Sequence, residues 1–130
     1  MKNYIITGGK KLNGEISISG SKNASLPILA ASILNGKTTK LYNIPNISDV
    51  KTTIDILKYL GCKIKKDKNK LKIDSKNMKE KQIPDNLMRK LRSSVILAGS
   101  ILSRFGEVKF SYPGRLWYWK QTNRLAFEGF

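Results

Sequence analysis

Between Val50 and Ile73 the apolar pattern changes its period, and that change restricts the fold more than any other feature of the chain. Val50, Ile54, Leu57 and Tyr59-Leu60 recur at helical spacing and form one buried stripe. Ser48 offers an N-cap, Asp49 an acid for the first turn, and Gly61 an end. Immediately afterwards Cys62-Lys63-Ile64-Lys65 and Leu71-Lys72-Ile73 alternate apolar and charged residues. That period of two predicts a half-exposed hairpin turning at Asp67-Lys68-Asn69-Lys70.

The same punctuation organises the rest. Tyr4-Ile5-Ile6 and the alternating Glu15-Ile16-Ser17-Ile18-Ser19 predict two strands before Gly20. Lys22 to Leu34 is a small-residue-rich apolar helix with Pro27 in its first turns and Asn35-Gly36 as its stop. Thr38 to Tyr42 is a strand. Pro84-Asp85 opens a third helix running to about Ser103, with Leu87, Met88, Leu91, Val95, Ile96, Ala98 and Leu102 facing inward. Phe105-Gly106 ends it, and Val108-Lys109-Phe110 is a short strand. Helices alternating with strands and hairpins predict an α/β layer with helices on one side of a mixed sheet.

Composition then excludes several chemistries. The chain has 130 residues, enough for one modest domain or a piece of something larger. With no histidine and a single cysteine, Cys62, it has neither a disulfide framework nor a Ser-His or Cys-His pair, and no zinc site is expected. No apolar run approaches the ~18 residues of a membrane span, and Met1-Lys2-Asn3-Tyr4 does not open a signal peptide, so a cytoplasmic protein is expected. The net charge of +16 suggests a polyanion partner. Yet 20 lysines against 5 arginines, with 15 isoleucines and 10 asparagines, match A- and T-rich codons without any selected ligand. Ten lysines and three acids fall between Lys58 and Lys81, which reads as a solvated lysine face.

Two constellations could carry chemistry. Gly20-Ser21-Lys22-Asn23 joins a strand to a helix, where unpaired backbone N–H groups, a lysine and an amide could cradle an anion; a common Gly-Ser turn with an exposed lysine is the alternative. Arg89 and Arg92, three apart at the start of the third helix, share a face suited to phosphate or carboxylate; a solvated basic edge is the alternative. Cys62, after Gly61 at the mouth of a strand, reads as a buried structural thiol.

Taken in order, Gly8-Gly9-Lys10, Leu12-Asn13-Gly14-Glu15-Ile16, Ser19-Gly20-Ser21-Lys22-Asn23-Ala24 and Leu26-Pro27-Ile28-Leu29 closely resemble the opening of the UDP-N-acetylglucosamine 1-carboxyvinyltransferase family. Asn43-Ile44-Pro45, Ser48-Asp49-Val50, Leu60-Gly61, Leu91-Arg92-Ser93-Ser94 and Ser103-Arg104-Phe105-Gly106 continue the likeness as far as Pro113-Gly114. The resemblance implies an inside-out α/β barrel built of βαβαββ units. Residues 1–21 would supply N-terminal strands that pack with a second domain, and 22–114 part of the first. It also implies enolpyruvyl transfer from phosphoenolpyruvate to the 3-hydroxyl of UDP-N-acetylglucosamine, the first committed step of peptidoglycan synthesis. Lys22 and Asn23 would hold phosphoenolpyruvate and Arg92 would face UDP-N-acetylglucosamine, with no cofactor, metal, membrane or specific nucleic acid. A small basic module binding nucleic acid or another polyanion is the competing reading.

After Pro113-Gly114 the likeness stops. The family continues Gly-Cys-x-Ile-Gly-x-Arg-Pro-x-Asp-x-His, its cysteine the general acid, whereas this chain has Arg115-Leu116-Trp117-Tyr118-Trp119. Both tryptophans and five of the eleven aromatic residues fall in 115–130. Written as AGG CTG TGG TAT TGG and read one base later, residues 115–119 give Gly-Cys-Gly-Ile-Gly. Residues 115–130 are therefore expected to be a frameshifted tail on a truncated, inactive enzyme without a catalytic residue of its own.

Overall fold

A computed structural model describes residues 3–89, 94–112, 115–120 and 128–129, with 94, 95 and those from 110 onward described by their backbone. Its centre is the period change. Helix α2 (Ser48–Tyr59) runs into the hairpin β2 (Lys63–Asp67) and β3 (Lys70–Asp74), and Gly61, at φ 99°, turns the chain between them. The reversal from β2 to β3 is made at Lys68, whose φ is 50°. Strand β1 (Thr38–Leu41) pairs with the other edge of β3, giving the order β1-β3-β2. Both ladders are antiparallel, so the sheet is not the mixed one predicted: β1 and β2 run the same way but are separated by β3.

One face of this sheet is apolar. Leu71 and Ile73 of β3 are buried, with Leu41 and Ile64 packed beside them. Against that layer lie helix α1 (Lys22–Ala31) and α2, which bury Leu29, Val50, Ile56 and Leu57 completely. At roughly 1.5–3 kcal/mol per fully buried aliphatic side chain, this layer is the main source of stability. The other face carries Lys40, Lys72 and Lys65 in direct register across the three strands, all exposed.

Several sequence expectations are corrected. Residues 3–20 form no strand with the described residues, and Tyr4, Ile5, Ile6, Leu12, Ile16 and Ile18 are 84–96% exposed. A strand exists only with a hydrogen-bonded neighbour; alternation reports which side chains favour burial, not whether the partner sheet lies in the same chain. Ser48 does not cap α2. Ile47, half-buried against the core, takes the cap position without a side-chain hydrogen bond, and Ser48 begins the helix.

The third predicted helix is described as two, α3 (Asp85–Met88) and α4 (Ser94–Phe105). Leu97 and Ile101 are buried with Ala98, while Ile96, expected to face inward, is 40% exposed. Helix α4 packs on α1 and on β4 (Glu107–Tyr112). Strand β4 continues as an antiparallel hairpin with β5 (Arg115–Lys120), in a second sheet completed by β6 (Glu128–Gly129).

Candidate functional site

Helix α1 starts where the sequence places it. Ser21 is its N-cap, with φ −73° and ψ 134°, and its hydroxyl accepts from the Ala24 N–H at 3.4 Å. Ser25 locks the same turn by donating its hydroxyl to the Ser21 carbonyl at 2.7 Å. Lys22 and Asn23 are therefore the first two helical residues, both exposed, beside backbone N–H groups that no preceding turn can satisfy. Dipole and ammonium together make this a positively polarised corner.

What brings a second element to this corner is Gly20. A methyl group there would lie 1.8 Å from the Asn43 carbonyl oxygen and 3.1 Å from Pro45 Cδ. The chain entering α1 thus presses on the loop entering α2, a loop that bends at Asn43 with φ 57°. The first turns of the two helices meet as a result, and Lys22 Nζ lies 2.5 Å from Asp49 Oδ2. Asp49 is held in turn by the Ser48 hydroxyl, which donates to Oδ1 at 3.3 Å, and its carbonyl accepts from the Thr53 hydroxyl at 2.8 Å. Sequence reading found Asp49 as a first-turn acid but not as the partner of Lys22. The two are 27 positions apart, and only the contact between α1 and α2 joins them.

Arg92 lies outside the described residues. Arg89 is exposed at the end of α3, its N–H donating to the Asp85 carbonyl at 2.9 Å. Cys62 is the buried thiol expected, and burial pushes it up from 9.0 to about 11; the nearby Arg104 guanidinium acts downward and Asp74 upward. A neutral thiol at this depth is a packing residue, not a nucleophile.

Arg104 is the functional-looking side chain that sequence reading passed over. Its guanidinium donates to the Ile33 carbonyl at 2.7 Å and to the Ser75 carbonyl at 2.6 Å, and it lies 5.2 Å from the Phe105 ring centre. It ties α4 to the end of α1 and to the exit of β3, a structural clasp remote from Lys22 in sequence. Its signal was an arginine in a lysine-dominated chain, since the guanidinium presents separate nitrogens in a fixed planar fork that suits two carbonyls.

An open cleft of about 660 Å³ lies between Ser17–Ser19, Asn43–Asn46 and the β2–β3 turn. Lys66 crosses it to the Asn46 amide oxygen at 3.1 Å. Lys22 and Asn23 do not line it. Among the described residues no helix is long and apolar enough to cross a membrane.

The family model described as EPSP synthase (3-phosphoshikimate 1-carboxyvinyltransferase) matches residues 6–115. UDP-N-acetylglucosamine 1-carboxyvinyltransferase 2 of Caldanaerobacter subterraneus subsp. tengcongensis is 42% identical over 114 residues, 88% of this chain. The UDP-N-acetylglucosamine 1-carboxyvinyltransferase of Buchnera aphidicola subsp. Baizongia pistaciae is 48% identical over 129 residues, 99% of this chain. The chain spans 27% and 31% of the lengths of these two relatives. In fold it is similar to the enolpyruvyl transferase NikO from Streptomyces tendae, with a TM-score of 0.71 at 23% identity over 82% of this chain and 25% of that one. Matched from residue 6 to residue 115, the chain belongs to the EPSP synthase family, and its fold is that of an enolpyruvyl transferase in part.

Proposed function

We propose that the chain serves as part of a UDP-N-acetylglucosamine 1-carboxyvinyltransferase, the part that grips phosphoenolpyruvate with Lys22 and Asn23 and presents Arg92 to the sugar nucleotide. The reading rests on one observation: a chain 42–48% identical to enzymes of that name carries Lys22 and Asn23 on the first turn of α1. Phosphoenolpyruvate bears a phosphate and a carboxylate, and both suit a lysine, an amide and a helix N-terminus. The lysine would offset the charge that shifts as the 3-hydroxyl of UDP-N-acetylglucosamine adds to C2 of phosphoenolpyruvate with protonation of C3, and as phosphate then leaves C2 with loss of a proton from C3. The product is a precursor of peptidoglycan, and both substrates are small water-soluble anions of the cytoplasm, which supports a cytoplasmic site of action.

The 130 residues by themselves are expected not to turn over. The sequence Gly-Cys-x-Ile-Gly, which carries the general acid in the family it resembles, does not occur in them, and a site that closes between two domains needs both. On this reading residues 1–21 supply strands to a second domain, residues 22–114 belong to the first, and 115–130 are a frameshifted tail. The family match stops at residue 115, which supports the last point; the Buchnera relative, matched over 129 residues, weighs against it. Sequencing the locus decides: transferase codons in the next frame after Gly114 are expected, and a single clean frame would refute the tail.

Purified chain given phosphoenolpyruvate and UDP-N-acetylglucosamine tests the rest. No phosphate release is expected, while phosphoenolpyruvate binds and Lys22→Met abolishes that binding. Unaided turnover, or binding indifferent to Lys22, would refute the reading. The row Lys40, Lys72 and Lys65 favours one second reading, a polyanion-binding face; like charges in register repel one another and are relieved by an anionic partner. Steep loss of nucleic-acid binding with salt would be its mark.

A further inference from the structure

The face of the β1-β3-β2 sheet that turns away from α1 and α2 joins a row of like charges to an exposed aromatic ring. Lys40, Lys72 and Lys65 stand opposite one another across the three strands, an arrangement that weakens a sheet. Among the described residues none of the three is in an ion pair. Two residues before Lys72, Lys70 adds a fourth positive charge to the same face of β3. The acids of this face, Asp67 and Asp74, stand opposite Lys70 and Lys63 at its two ends, so the middle row is wholly cationic. Tyr42 directly follows β1 and is 66% exposed, with Lys70 Nζ 5.9 Å from its ring centre. Tyr42 lines one open cavity of about 380 Å³ together with Lys40, Lys65, Lys70, Lys72 and Asp67. Ring and ammonium groups are therefore within reach of a single ligand.

We propose that this face binds single-stranded nucleic acid, with a base stacked on Tyr42 and neighbouring phosphates held by Lys40, Lys72 and Lys65. The proposal rests on the second reading above, the polyanion-binding face, and names the polyanion. Lys22 and Asn23 take no part in it. A polyanion without bases would use the lysines and leave the ring idle. A duplex keeps its bases stacked inside, out of reach of a ring on a shallow sheet. A single strand offers both groups at once, a π face for the tyrosine and phosphates for the ammonium groups. Both contacts are common to every nucleotide, so little sequence preference is expected.

The experiment measures binding of the 130-residue chain to an oligothymidine of about 12 nucleotides by fluorescence anisotropy. The matching duplex and inorganic polyphosphate are the comparison ligands. The variants are Tyr42→Ala, Tyr42→Phe, an on-face triple, Lys40→Ser/Lys65→Ser/Lys72→Ser, and an off-face triple of equal net charge, Lys10→Ser/Lys11→Ser/Lys51→Ser. All these positions are exposed, and circular dichroism confirms that each variant is folded. The single strand is expected to bind more tightly than the duplex, and to lose roughly 20- to 50-fold in affinity from 50 to 200 mM salt for three or four neutralised phosphates. Tyr42→Ala should weaken the single strand about five-fold or more and leave polyphosphate unchanged, while Tyr42→Phe binds as the native chain does. The on-face triple should lose both ligands and the off-face triple should lose little. A Tyr42→Ala variant that binds the strand normally, or a duplex bound as tightly as the strand, overturns the single-strand proposal and leaves the polyanion face standing. Equal losses from the two triples, or no binding of any of the three ligands, overturns the polyanion reading and this proposal with it.

Discussion

Two stretches with similar apolar alternation meet opposite fates in this molecule. Leu71-Lys72-Ile73 lies in the middle of a three-stranded sheet, its leucine 2% and its isoleucine 0% exposed. Ile16-Ser17-Ile18 has the same pattern, yet its isoleucines are 89% and 84% exposed and no described strand pairs with it. The difference lies in what flanks them. Leu71 and Ile73 are reached by β1 on one edge, β2 on the other and two helices beneath, all within this chain. The lesson is that patterning specifies a face, while the neighbour that covers it is a separate fact.

Truncating the covered side is expected to have the largest effect. Leu57→Ala removes a fully buried side chain from the contact between α2 and the sheet and should cost about 2–5 kcal/mol in urea melts. A loss under about 1 kcal/mol would mean that the α2 layer is not the core. Arg104→Ala comes next. It strands the Ile33 carbonyl and leaves that of Ser75 with the Met78 N–H at 3.2 Å, at a cost of roughly 1.5–3 kcal/mol, and Arg104→Lys should recover only part because an ammonium lacks the two separate nitrogens that reach the two carbonyls.

A smaller effect is expected from pH. Cys62 is protonated to higher pH when folded, at about 11, than its ordinary 9.0. The folded-state value is raised, so the thiol's contribution is complete below about pH 9 and is lost as pH rises through about 11. Stability should fall more steeply over that window in the native chain than in Cys62→Ala; equal slopes would show the thiol to be solvated. The smallest effect belongs to the uncovered stretch. Ile18→Ser should change stability by less than about 0.5 kcal/mol, and a larger loss would reveal a covering partner for residues 3–20.

Much of this was legible before any coordinates. The α2 stripe, the hairpin turning at Lys68-Asn69 and the start of α1 at Lys22 follow from short-range rules of period, turn and cap, and the structure has them at those residues except Tyr59, expected in the stripe but 41% exposed. So does the family likeness through Pro113-Gly114, since residues 6–115 match. What escaped depends on contacts between distant positions. The antiparallel pairing of β1 with β3, the meeting of Lys22 with Asp49 and the reach of Arg104 across 71 positions to Ile33 leave no local trace. Ser48 shows the converse: it has the right chemistry for a cap, but the packing of Ile47 shifts the helix start by one residue. Of the three residues expected to touch substrates, Lys22 and Asn23 stand together on α1, and Arg92 lies outside the described residues.

The carbonyl of Asn43 sits where residue 20 would need its first side-chain carbon, so two stretches separated by a whole helix and strand occupy one shared volume. Randomising codon 20 alone should return glycine among folded survivors. Randomising it together with 43 to 45 should return larger residues only in company with a loop that has moved away, and such a loop would carry Asp49 away from Lys22. Space at one atom thus couples the backbone's entry into the first helix to the electrostatics of its tip.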